Sequence, residues 1–237
     1  MARRSKKYIQ QKKLIDTQKL YSIDEAIELL KKLGENSTKF DQTIDVAINL
    51  GVDPKQTDQA VRGAVVLPAG SGKKNRVLVF VKGEKEQEAK DAGADYVGAE
   101  DLIEKIKEGW MEFDTVIATP QMMGAVGKIG KILGRKGLMP NPKTGTVTMD
   151  IASAVADAKK GRAEFKLEKK GAVLHTSIGK ISFTKEAIKE NLIALLDAVI
   201  KAKPASAKGT YLKKIAISLT MSPSIKIDPA QFGAIIK

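Results

Sequence analysis

The chain has 237 residues, 43% hydrophobic and 29% charged, a balance that suits one large or two ordinary globular domains and excludes a disordered chain. A net charge of +13 and an isoelectric point near 9.6 point to a polyanionic partner, with nucleic acid ahead of an anionic membrane surface. Having no cysteine and one histidine, the chain is excluded by count from disulfides, thiolate zinc sites, a cysteine nucleophile and multi-histidine metal cages.

The N-terminal ARRSKK has the charge of a signal-peptide start, but residues 8–19 (YIQQKKLIDTQK) hold no continuous apolar run. No stretch of about 18 uncharged apolar residues follows, so a cytosolic protein with no membrane partner is expected. Residues 1–20 carry Arg3, Arg4, Lys6, Lys7, Lys12 and Lys13 with no acid before Asp16, which predicts a basic arm loosely ordered unless a polyanion holds it. Ser22-Ile23-Asp24-Glu25 is a capping box, and Ile27, Leu29, Leu30 and Leu33 at helical spacing continue the helix to a stop at Gly34. Residues 40–50 alternate, with Ile44, Val46, Ile48 and Leu50 inward and Thr43, Asp45, Ala47 and Asn49 outward, the pattern of a half-buried strand. Another strand is expected over 62–67.

At Pro68 the texture changes. A continuous apolar run (76–81), a helix (84–92), a short strand (95–97), a helix (100–108) and a strand (113–119) read as parallel βαβ units, and Asp150 caps a helix to about 160. From 163 the alternation returns. Residues 169–171 form a turn between AEFKLE and AVLHTSI, and Thr184 caps a long helix through 203. The last strand sets Ile215, Ile217, Leu219 and Met221 against Lys214, Ala216, Ser218 and Thr220. Pro223 cannot donate to a ladder, so pairing ends near 221–224, leaving hydroxyls at a strand end that is either a solvated edge or a binding row. The expected fold combines α+β and α/β. Both termini, 1–67 and 160–237, form a discontinuous α+β domain with a half-exposed β-sheet, and residues 68–159 form an inserted doubly wound (Rossmann-like) α/β domain, with a hinge near 67–68 and 159–161.

Chemistry is sparse. The glycine-rich basic stretch 127–142 reads as a loop, and glycine-rich basic loops cradle phosphate through backbone amides, yet neither dinucleotide nor P-loop spacing is present there or around Gly72-Lys73. His175 has no nucleophile placed beside it, so it is a polar-face strand histidine or a phosphate or base contact. The carboxylates are scattered among lysines, and neither an enzyme nor a cofactor or metal is expected. Aromatics are 5% with no RNP-type pattern, so any RNA contact would use sheet-face hydroxyls, cations, backbone and shape. Phe40 beside Lys39 is either a core cap or an exposed contact.

Four segments taken together, KFDQTIDVAINLGVDPKQTDQAVRGAVVLP (39–68), GADYVG (93–98), GKIGKILGRKGLMPNPKTGTV (127–147) and KGTYLKKIAISLTMSPS (208–224), resemble the bacterial family of the large-subunit ribosomal protein numbered one, the proteins of the mobile side stalk. The resemblance implies a terminal-plus-inserted two-domain fold and binding to the side-stalk region of 23S rRNA. It further implies a part in release of deacylated tRNA from the exit site, repression of the protein's own operon mRNA by mimicry of the rRNA site, and a monomer outside the ribosome. By position it places the RNA contact on Lys39, Phe40 and Thr43, on the hairpin around His175, and on Thr220, Met221 and Ser222 with Ser218 and Lys214 behind. It leaves 127–142 as a structural loop with at most secondary RNA contact. The family pattern reads Thr-Met-Gly where this chain has Thr220-Met221-Ser222; glycine would admit positive φ or close backbone approach, and serine adds a Cβ that must fit.

Overall fold

The computed structural model describes residues 5–35, 38–83, 85–168 and 171–235. In chain order the elements are α1 (Lys6–Lys13), α2 (Ile23–Gly34), β1 (Thr43–Leu50), β2 (Arg62–Val66), β3 (Val77–Phe80), α3 (Lys85–Asp91), β4 (Tyr96–Gly98), α4 (Glu100–Lys107), β5 (Thr115–Ala118), α5 (Met123–Gly127), α6 (Gly130–Lys136), α7 (Ile151–Gly161), β6 (Arg162–Lys166), β7 (Val173–Lys180), α8 (Lys185–Lys201), β8 (Leu212–Leu219), β9 (Ile225–Ile227) and α9 (Ala230–Ile235). The chain is mixed α/β and divides into two compact units, Met1–Gly72 with Ala163–Lys237, and Lys73–Arg162.

In the first unit, local sequence signals and packing agree. Ser22 Oγ accepts from Glu25 N, and Glu25 Oε2 accepts from Ser22 N, each at 3.3 Å, so the capping box closes α2 while Ile23, Ala26, Ile27, Leu30 and Leu33 are buried. Thr184 Oγ1 accepts from Ala187 N at 3.2 Å and opens α8, whose Leu192, Leu195, Leu196 and Val199 enter the same core. Both helices cover the apolar face of an antiparallel sheet of order β7-β1-β8-β9. Ile44, Val46, Ile48 and Leu50 of β1, with Ile215, Ile217 and Leu219 of β8, are buried there. The turn expected at 169–171 touches residues 169–170, which lie outside the described residues. The chain does double back, since Glu168 N donates to Val173 O at 2.9 Å, but β6 pairs with β2 and β7 pairs with β1.

The basic arm is not loose over its described part. Ser5 caps α1 by accepting from Tyr8 N at 3.3 Å, Gln11 Nε2 donates to Leu33 O at 2.9 Å, and Ile15 is buried. One apolar side chain and these ties hold a segment whose charge alone predicts solvation. Arg3 and Arg4 lie outside the described residues.

In the second unit, β4-β3-β5 form a parallel sheet. Val77, Val79 and Val81 on one face pack with Ala89, Val155 and Ala158 of the helices α3 and α7, and Leu78 and Phe80 on the other pack with Leu102, Ile106, Val126 and Leu133. Asp114 Oδ2 accepts from both Arg76 N and Arg76 Nε at 3.1 Å, and these bonds hold its carboxyl below the usual range. The stretch 127–142, expected as a loop, is helical over its first half, through Gly127 and Gly130–Lys136, and irregular from 137 to 141. Val126, Ile129 and Leu133 are buried at helical spacing, which outweighs the glycines, and Gly137 ends α6 with φ 76°. Each glycine inside such a helix costs about 0.5–1 kcal/mol relative to alanine.

Asn191 of α8 is fully buried and saturates three backbone groups of the first unit. It accepts from Ala69 N at 3.0 Å and donates to Gly70 O at 2.9 Å and Ile178 O at 2.7 Å. Asn191→Leu keeps the branched side-chain skeleton and orphans those groups, each worth about 1–3 kcal/mol when buried without a partner. Thermal unfolding of that variant is expected at a clearly lower temperature than wild type; an unchanged Tm would show that water replaces the amide.

Candidate nucleic-acid interface

Strand register decides which polar side chains share the uncovered sheet face. Opposite Asp45 stand Ser177 and Ser218; opposite Ala47 stand His175 and Ala216; opposite Asn49 stand Val173 and Lys214. Lys226 of β9 continues the second row beside Ala216, and its Nζ donates to Thr17 O at 2.7 Å. Side chains directly opposite on antiparallel strands are about 5 Å apart at Cβ, so each row is one contiguous strip. Small side chains at Ala47 and Ala216 leave the middle of the face shallow.

The face ends where β1 begins and β8 finishes. Thr220 N donates to Thr43 O at 3.2 Å, and Thr43 N donates to Thr220 Oγ1 at 3.2 Å, so a side-chain hydroxyl carries the ladder one step past the strand. Thr220 Oγ1 also lies 3.4 Å from Thr43 O. The turn after it is tied twice: Met221 N donates to Gln42 Oε1 at 3.0 Å, and Leu219 N donates to Ser222 Oγ at 3.0 Å. Gln42 is fully buried, while Phe40 and Met221 are 54% and 58% exposed at the same end of the sheet. Lys180 Nζ donates to Thr43 Oγ1 at 3.1 Å and to Asp41 O at 3.3 Å, and the Asp41 carboxylate is occupied by Ser182 N at 3.2 Å and Ser182 Oγ at 2.7 Å. The result is an exposed rim of hydroxyls, cations, one aromatic and one methionine, on a rigid support.

Seven of the nine residues that the resemblance names sit at this end: Lys39, Phe40, Thr43, Ser218, Thr220, Met221 and Ser222. His175 lies on the same face but opposite Ala47, four residues, or about 13 Å, from Thr43. Its Nε2 is 3.9 Å from Glu168 Oε1. Lys214, exposed and opposite Asn49, is farther still. Met221 departs from the alternation that puts it on the apolar row: β8 stops at Leu219, and the turn at 220–222 turns its side chain outward. Ser222 needs no glycine conformation, because among the described residues only Ala172 is a non-glycine with positive φ. Its Oγ caps the strand instead, and also donates to Pro223 O at 3.0 Å. Sequence reasoning passes over Gln42, Asp41 and Lys180. Gln42 carries a signal, a polar residue at the entry of an apolar strand; Lys180 becomes relevant only once its register opposite Thr43 is known. Among the described residues, no group of three or more His, Cys, Asp or Glu could hold a metal ion, and no helix is long and apolar enough to cross a membrane.

Residues 29–223 match the model of the Ribosomal protein L1p/L10e family.

The buried Gln42 amide is the support on which the exposed turn rests. Gln42→Ala is expected to raise amide exchange at Met221 at least about tenfold while Ile215 and Ile217 stay protected, a local opening of about 1.4 kcal/mol or more. Equal protection at Met221 in the variant would mean that the turn stands without it.

Proposed function

Because the chain belongs to the ribosomal protein L1p/L10e family, a family of RNA-binding constituents of the large ribosomal subunit, we propose that it is the side-stalk protein of that subunit and that the sheet end around Thr43 and Thr220 is its 23S rRNA contact. The observation that carries this reading is the pairing of Thr43 with Thr220 beneath an exposed Phe40 and Met221, at an edge bearing Lys39 and Lys180. Phosphates would meet the lysines, and the hydroxyls and backbone at the rim would read the RNA's shape and 2′-hydroxyls. His175 and Lys214 would extend the contact along the sheet face. Exposed aromatic and methionine side chains would pack on sugar or base surfaces rather than stay in water.

The wider role follows from that contact. The terminal segments 1–67 and 160–237 would hold the stalk RNA, and the inserted part 68–159 would swing about the two chain crossings near 67–68 and 159–161 as deacylated tRNA leaves the exit site. A messenger segment folded like the rRNA site would compete for the same sheet end, so the protein would repress its own operon mRNA when rRNA is scarce. It would do this as a cytoplasmic monomer before assembly, as a binding protein without cofactor or catalytic step.

The test is filter binding of stalk RNA across a salt series. Thr220→Val is expected to weaken binding by roughly 5- to 100-fold, on the order of 1–3 kcal/mol for an unpaired partner. Thr220→Ser, which keeps the hydroxyl, and Lys105→Ala, a remote charge, should stay near wild type. In log-log form each phosphate contact contributes a slope of about −0.7 to −0.9, so Thr220→Val should lower the line without changing its slope. Since Thr220 Oγ1 also bonds Thr43, Tm is measured alongside. A folded Thr220→Val that binds like wild type, while Lys105→Ala loses affinity, would remove the sheet end as the site.

A further inference from the structure

The second unit contains a cleft that the sheet-end contact does not use. About 540 Å³ in volume, it is lined by Tyr96 of the edge strand β4, by Leu102 and Lys105 of α4, by Glu108 at the end of that helix, and by Trp110. Tyr96 and Trp110 meet edge to face, with ring centroids 4.7 Å apart and planes at 85°, and Trp110 leans on Phe113 at 5.4 Å. Leu102 and Phe113 are buried and fix the floor, whereas Tyr96 and Trp110 are only half-buried. A cleft of this size takes a small ligand or a few side chains of a partner.

Its charge sets the cleft apart from the rest of the chain. Residues 100–114 carry six acids against two lysines, a net charge of −4 within a chain of +13. Arg76, whose field reaches Tyr96 and Glu112, is already bound to Asp114 at 3.1 Å. Glu100, Asp101, Glu104, Glu108 and Glu112 enter none of the ion pairs among the described residues. Glu100, Glu104 and Glu108 follow at spacings of four, so like charges line one side of α4, an arrangement that by itself destabilises a helix. A polyanion would be repelled here and a cation drawn in. Aromatic faces also attract cations, tryptophan most strongly. The one opposing charge on the lining is Lys105.

We propose that this cleft docks a basic segment of a partner protein, which lays an arginine side chain on the Tyr96 and Trp110 rings and pairs its guanidinium with Glu108. Arginine suits the cleft better than lysine, because its planar guanidinium stacks on an aromatic face and meets a carboxylate through two parallel N–H donors. Further cations of the segment would meet the remaining unpaired carboxylates of 100–112. Lys105 works against such a partner and therefore fixes the sign of the test. The inference concerns a protein partner and does not rest on the RNA contact at the sheet end.

The full chain serves as its own reporter, because Trp110 is its only tryptophan and its emission reads occupancy of the cleft. The probes are octapeptides that alternate glycine with arginine, with lysine or with glutamate, titrated at physiological salt. The arginine peptide is expected to change Trp110 emission saturably at roughly millimolar concentration or below. The lysine peptide should bind about two- to fivefold more weakly, and the glutamate peptide not at all. Anisotropy of a dye-labelled arginine peptide then reads the variants, with Tm measured alongside. Glu108→Gln and Trp110→Leu are each expected to weaken binding by about two- to fivefold. Lys105→Gln should tighten it by about twofold, the opposite of its effect on an anionic ligand. Glu186→Gln, an exposed carboxylate of the first unit, should leave it unchanged. Should Trp110→Leu fail to fold, the exposed Glu108 and Lys105 variants carry the test. No saturable response to the arginine peptide, wild-type affinity in Glu108→Gln, weaker binding in Lys105→Gln, or a preference for the glutamate peptide would each overturn the proposal.

Discussion

Thr43–Leu50 is paired along both edges, with Val173–Lys180 on one side and Leu212–Leu219 on the other, and the first unit depends on that double pairing. A strand has a side-chain period of two, so slipping β1 by one residue against its two partners would send Ile44, Val46 and Ile48 to solvent and Asp45, Ala47 and Asn49 into the core. The apolar row, covered by α2 and α8, therefore enforces the composition of the opposite, polar row. The polar side chains on the outer face inherit their positions from the core. β1 lies more than 100 residues before both strands it meets there, which is why the surface exists only in the folded protein.

At the sheet end the same register meets a different constraint. β8 cannot continue through Pro223, and its last donors and acceptors must be satisfied in another way. Thr220 Oγ1, Ser222 Oγ and the buried Gln42 side chain meet that need. They leave Met221 and Phe40 outside the core without loosening the backbone beneath them. Long-range attraction between a chain of charge +13 and RNA is not selective, and most of its lysines serve it equally. Selectivity has to come from groups held in place before the RNA arrives, and the tied strand end holds several within one patch.

Local sequence signals translate into structure wherever the interaction is local. The capping box at 22–25 and the Thr184 cap form, and the alternation of 43–50 matches its burial. The first half of 127–142 misleads because glycine and charge outweigh the buried Ile129 and Leu133 in any composition count, although with Val126 just before them they carry the helical spacing. The arm misleads for the same reason: Ile15 is one apolar residue among cations, and its burial depends on the core it joins. The candidate site was legible as separate outward rows and as positions in a resembling family, but its assembly was not. Which row faces which, and that Lys180 reaches Thr43, are consequences of register between distant strands. Asn191 shows the same limit, since nothing in a helix pattern announces that one amide will close three backbone groups from elsewhere.

On the proposed reading, the end of the four-stranded sheet, and not the lysine-bearing helices of the other unit, holds the stalk RNA. Hydrogen exchange by mass spectrometry, with and without stalk RNA, reads this directly along the whole chain. Exchange is expected to slow in peptides covering 38–45 and 214–224 when the RNA is bound, with little change over 123–137. Protection confined to 123–137, with 38–45 and 214–224 exchanging as in the free protein, would contradict it.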